Sequence, residues 1–217
     1  MTLFWRLLLA HLLADYPLQP NALVRMKDKP IGLALHLGIH AVVTMAMLWP
    51  VADVLWPGVL GLMLFHGLLD RAKIRKTAAL GLSEPAAYLL DQTLHLISLV
   101  TLAWLFTRIS SVAAALQLAP WSVQGVFLIL CTHFWAITER ILTVNLPAYQ
   151  AEVAAQMWPR MAARGLPILV TIAAQPAALK SGATLALPYV GTRYWRRALM
   201  TDLAVSATGV AALLLLV

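Results

Sequence analysis

A series of apolar runs, each long enough to cross a bilayer and separated by short polar loops, limits this chain more than any other feature of its sequence. A hydrocarbon core about 30 Å thick needs roughly 20 apolar residues per helix. In lipid, helices satisfy their own backbone polar groups. The predicted fold is therefore all-α, a polytopic transmembrane helical bundle of six or seven spans. Composition agrees: 61% of the 217 residues are hydrophobic and 12% are charged, against about 25% charged in soluble domains. Residues 1–217 are expected to form a single integral-membrane domain. In it 1–107 would make a four-helix core, and 108–217 would add further spans and an interfacial connector.

The first five spans fall at about 2–16, 31–49, 51–70, 87–107 and 121–143. Pro17 and Pro20 end or kink the first, since proline lacks the amide that a continuing helix needs. Pro30 suits the start of the second; Ser83 and Pro85 form a cap and first turn for the fourth. The N-terminal run has no small-residue cleavage site and reads as a span rather than a cleavable signal. After span five, "NLPAYQAEVAAQMWPRMAARG" reads as an amphipathic connector at the membrane interface. Glu139 and Arg140 are expected to form a local or interhelical ion pair. Two further apolar segments lie at about 165–179 and 199–217.

The net charge of +7 is no sign of nucleic-acid binding, because the basic residues gather in short loops, as in "VRMKDK" and "RAKIRK". The positive-inside rule then puts both basic loops in the cytoplasm and the N-terminus outside. Lys180, Arg193, Arg196 and Arg197 break that bias if 165–179 crosses. That segment is either re-entrant or a span, which leaves six or seven. Cys131 is the only cysteine, so a cysteine-based metal site and an internal disulfide are not expected.

Within the first four spans one pattern recurs. The pairs are His11 and Asp15, His36 and His40, His66 and Asp70, and Asp91 and His95. Each has the i,i+4 spacing that stacks two side chains on one helical face. Five of the six histidines fall in these pairs. Spans one and three descend to the cytoplasm with their pairs near their ends; spans two and four leave it with their pairs near their starts. Antiparallel packing then brings all four to one depth, near the cytoplasmic face.

A lone buried histidine or Asp–His hydrogen bond is more often structural, or part of a proton relay, than a metal ligand. Four pairs at one depth reverse that preference. Imidazole and carboxylate without thiolate suit zinc, manganese or iron. Eight groups exceed the usual four ligands of one zinc, so the expected cofactor is one or two divalent ions, zinc first. Haem fits less well, because carboxylates are poor haem partners. The metal candidates are His11, Asp15, His36, His40, His66, Asp70, Asp91 and His95. Gln19, Gln92, Lys27 and Lys73 are candidates to support the ligands or hold substrate; the other loop cations read as lipid-headgroup anchors.

The motifs "LLLAHLLADYPLQ", "VRMKDK", "LALHLGIHAVVT", "FHGLLDRAKIRK" and "YLLDQTLHLISL" resemble the bacterial inner-membrane family of domain of unknown function 3307, over about residues 3–105. "ALKSG", with Lys180 and Ser181, is similar to a lysine–serine element near that family's C-terminus. The resemblance implies a membrane-embedded helical fold in the bacterial cytoplasmic membrane. It also implies that the His/Asp set with Gln19 is functional, and it supplies no reaction.

These features point to a metal-dependent hydrolase acting on a lipid or phosphoester from the cytoplasmic leaflet, with Asp15, Asp70 or Asp91 as general base. A divalent-metal transporter is the alternative, although the site lies off the midplane and no inverted repeat is visible. A non-catalytic protein with a structural metal is the third. The expected partners are membrane lipids and the substrate, with no nucleic acid.

Overall fold

The computed structural model describes residues 2–76, 81–116, 119–174 and 196–216, and no strand occurs among them. The chain divides into two compact units, Met1–Ser122 and Val123–Val217.

The first unit contains α1 (Thr2–Asp15), α2 (Asn21–Met26), α3 (Pro30–Met47), a 3-10 turn (Trp49–Val51), α4 (Ala52–Lys76), α5 (Glu84–Phe106) and α6 (Ser110–Ala115). The local signals act as their chemistry dictates. Pro30 opens α3, and the Ser83 hydroxyl accepts from the Ala86 amide at 3.4 Å to cap α5. α1 packs on α3 and α5, and α4 packs on the same two, so the four long helices close into a ring. One end of the ring is filled by apolar side chains, including Leu3, Leu7, Leu48, Leu55, Val59 and Leu99. The other end carries the His/Asp pairs. Gly32 lets α2 lie against the start of α3, because a Cβ there would overlap the Met26 carbonyl.

Five stretches are long and apolar enough to cross a membrane: Pro30–Met47, Trp49–Lys73, Glu84–Phe106, Pro120–Leu142 and Ala198–Leu216. α1, with 14 residues, is only about 21 Å long. Ile31, Val42, Leu64, Leu68, Ile97 and Trp104 are each more than half exposed. Apolar surface of that extent is what lipid solvates and water does not.

The second unit contains α7 (Pro120–Ile129, which starts just before it), a π-helical turn (Leu130–Phe134), α8 (Trp135–Leu142), α9 (Pro147–Ala155), α10 (Met157–Ala174) and α11 (Arg196–Leu216). Two expectations change here. The end of the expected connector and the start of the sixth apolar segment form one helix, α10, rather than an interfacial helix followed by a separate span. Its Arg160 and Arg164 point inward and are 1% exposed. Glu139 pairs with Arg160 at 2.9 Å, and Arg140 is exposed. A guanidinium with several donors in a fixed fork satisfies a buried carboxylate better than a sequence neighbour on the outer face can. Gln175, Pro176, Lys180, Ser181, Arg193 and "ALPYVG" lie outside the described residues.

Candidate metal centre

The four i,i+4 pairs meet at one end of the ring, because each helix turns the same stripe inward. His11, His36, His40, His66 and His95 are 6, 0, 1, 2 and 2% exposed. Their rings form one cluster: centroids lie 4.2 Å apart for His40 and His66, 4.3 Å for His66 and His95, and 5.4 Å for His11 and His40.

Two sets of ligand atoms converge within 4.8 Å, Asp15 with His36, His40 and His66, and His66 with Asp70 and His95. In the first, Nε2 of His36 lies 3.1 Å from Nε2 of His66 and 3.3 Å from Oδ1 of Asp15. Nε2 of His40 lies 3.2 Å from the same oxygen. Ligands bound at about 2.0–2.1 Å around a tetrahedral ion stand roughly 3.3 Å apart. Charge-assisted hydrogen bonds are shorter, about 2.7–2.9 Å. These separations are compatible with ligands around one ion, and the donor set could hold a divalent ion.

The outer nitrogens are tied off in a way that aims the inner ones. In the amide orientation that satisfies both ends of Gln19, its oxygen lies 2.8 Å from Nδ1 of His36 and 3.0 Å from Nζ of Lys27. The amide nitrogen then lies 3.2 Å from the Asp15 carbonyl oxygen. Nδ1–H of His36 therefore donates outward and leaves the Nε2 lone pair facing His66. Nδ1 of His95 donates to the Asp91 carbonyl at 2.8 Å, and its Nε2 is buried without a hydrogen-bond partner. Such supporting contacts fix tautomer and ring orientation at metal sites.

Six of the eight candidate ligands belong to these two sets. His11 and Asp91 do not. Nε2 of His11 lies 3.2 Å from Oδ2 of Asp15, while Asp91 accepts from Lys73 at 2.8 Å and from Gln92 at 3.2 Å. Lys27 reaches Oδ2 of Asp70 at 2.7 Å. The Tyr16 hydroxyl donates to Gln92 at 3.1 Å and lies 3.1 Å from that of Tyr88, a pair of tyrosines that sequence reasoning did not connect with the site. Three carboxylates and two ammonium groups leave one net negative charge when the imidazoles are neutral.

The second unit holds a separate charged cluster that the sequence reading missed. Arg160 donates to Asp202 through Nε at 2.8 Å and Nη2 at 2.7 Å, Arg164 reaches Asp202 at 2.7 Å, and Tyr149 donates to Glu139 at 2.6 Å. Two cations face two anions, so the cluster is neutral, while Oε2 of Glu139, Nη1 of Arg160 and Nε of Arg164 are buried without a hydrogen bond. One signal was available in the sequence: Asp202 is the only acid in an otherwise apolar last segment.

Ring and cluster together define a helical, membrane-type protein with a buried His/Asp centre able to hold a metal ion. The family model described as "Protein of unknown function (DUF3307)" matches residues 3–124, and the chain belongs to that family. That range covers every residue of the His/Asp cluster. Neither the curated proteins nor the solved structures include a match to the chain.

Proposed function

We propose that this chain is a membrane-embedded, divalent-metal-dependent hydrolase acting on a lipid or phosphoester. The observation that carries the reading is the 3.1–3.3 Å spacing of ligand atoms from Asp15, His36, His40 and His66. An all-N/O set with three imidazoles favours zinc, with manganese or iron next. The single residual negative charge favours one ion over two. A divalent ion there would acidify water and polarise a phosphoryl or acyl oxygen. Asp91, outside both ligand sets, would act as general base through Oδ1, the oxygen that Lys73 and Gln92 do not take. Lys73, 38% exposed at its side chain, supplies positive charge where the cluster opens outward.

The protein would lie in the bacterial cytoplasmic membrane with its N-terminus outside. Arg25, Lys27, Lys29 and Arg71 stand at the same end of the ring as the His/Asp layer, which supports a site near the cytoplasmic face. Metal transport is the second reading. Its support is that His66 belongs to both ligand sets, so an ion could step from one to the other.

The test is elemental analysis of detergent-purified protein alongside the His36→Ala/His40→Ala variant. One equivalent of zinc, manganese or iron in the wild type, lost in the variant, is the expected result. Metal-free, folded wild type sinks the proposal. With metal established, Asp91→Asn should keep the ion and lose phosphoester hydrolysis. Metal flux into proteoliposomes without hydrolysis would select transport instead.

A further inference from the structure

Of the three cations between α1 and α3, only Lys27 turns inward: Arg25 and Lys29 are exposed, whereas the Lys27 side chain is 14% exposed. Lys27 caps the C-terminus of α2, and the bare Cα of Gly32 lets that end of α2 press on the start of α3. An ammonium on a flexible stem ordinarily keeps its head in water, so one drawn inside needs specific partners. Lys27 has two. Its Nζ lies 2.7 Å from Oδ2 of Asp70 and 3.0 Å from the Gln19 amide oxygen.

Asp70 belongs to the second ligand set, with His66 and His95. His95 commits Nδ1 to the Asp91 carbonyl, so Nε2, buried without a hydrogen bond, is the nitrogen it has left to offer. Two imidazoles and one carboxylate make a sufficient protein ligand set for a divalent ion, with a further position for water. The first set does not depend on His66, because Asp15, His36 and His40 remain when His66 turns to a second ion. The positive charge that Asp70 meets in the structure is the ammonium of Lys27.

We propose that His66, Asp70 and His95 form a second divalent-cation site, which Lys27 keeps weak by holding a tethered positive charge on its only carboxylate. This rests on the metal-centre reading and deepens it by naming what sets the number of ions. With neutral imidazoles, Asp15, Asp70 and Asp91 against Lys27 and Lys73 leave one negative charge. One divalent ion turns that into one positive charge, and a second would raise it to three. Without Lys27 the same steps end at zero and two. The incoming ion then no longer meets a like charge across a few ångströms of interior, where Coulomb repulsion is far less screened than in water.

The full chain, purified in detergent and stripped with a chelator, is equilibrated against buffered free zinc over a range of concentrations, and bound zinc is read by elemental analysis. Wild type should hold one equivalent. Lys27→Met should hold two, the second at a free zinc about tenfold or more below that at which wild type begins to take it. Lys27→Arg keeps the charge and should stay at one. Lys27→Met/Asp70→Asn loses the carboxylate and should return to one. Lys27→Gln, whose neutral amide keeps a donor for Asp70, should load as Lys27→Met does, and it stands in where the Met variant fails to fold.

A single equivalent in the Met and Gln variants sinks the second site and leaves the first metal standing. A second equivalent that survives Asp70→Asn sinks it as well, because that ion binds elsewhere. Two equivalents taken by wild type and by Lys27→Met at the same free zinc overturn the role of Lys27. Zinc absent from wild type and variants alike sinks the metal-centre reading itself, and the second site with it.

Discussion

Gln19 shows how one side chain outside the ligand sets can govern them. Its amide oxygen takes the Nδ1 proton of His36, so the ring presents a lone pair at Nε2. Gln19→Leu should weaken metal binding about 10–100-fold, the usual cost of losing a supporting hydrogen bond, as read by competition with a chelator; Gln19→Glu keeps the acceptor and should retain most of the affinity. Protons compete with a metal ion for the same imidazole nitrogens, so occupancy at fixed free metal should fall on acidification and return on neutralisation; metal content after equilibration at each pH checks this. At this scale the sequence was highly legible for the four pairs, because i,i+4 stacking is a property of one helix. Glu139 was not legible: its partner Arg160 is 21 residues away, and Arg140, the nearer cation, faces outward.

Elements were legible wherever a long apolar run met a local stop signal. Pro30, Ser83 and Pro85 mark the starts of α3 and α5, and Pro17 and Pro20 follow the end of α1 at Asp15. The π-helical turn at Leu130–Phe134 left no such mark, because one extra residue in a helical turn barely alters an apolar pattern. The continuity of the connector's end with the sixth apolar segment, within α10, was hidden for a related reason. Arg160 and Arg164 read as an outer polar face until Asp202 of α11 is seen opposite them. Breaking that cluster should be severe: Arg160→Met should cost about 3–5 kcal/mol by stranding buried charge, measured by thermal unfolding in detergent. At Gly32, the Val variant should push α2 off α3 at a cost of about 1–3 kcal/mol. The Lys27–Asp70 ion pair would then be lost, and the same melt should show the lower transition.

On the scale of the whole molecule, every histidine and aspartate of the centre lies within Met1–Ser122. Residues 1–122 expressed alone in membranes should therefore fold and bind metal with the stoichiometry of the full chain, checked by elemental analysis of the purified fragment. The apolar runs and their proline and serine boundaries determined by themselves that this chain is a set of membrane-type helices, four of them carrying a polar pair on one face. Helical periodicity comes from hydrogen bonds within four residues, so it can be read locally. Only the tertiary structure decided that α1, α3, α4 and α5 close into a ring with those faces inward, that six of eight groups form the ligand sets, and that α10 turns its arginines inside. Those outcomes depend on which helix lies beside which, and packing between residues far apart in the chain sets that order.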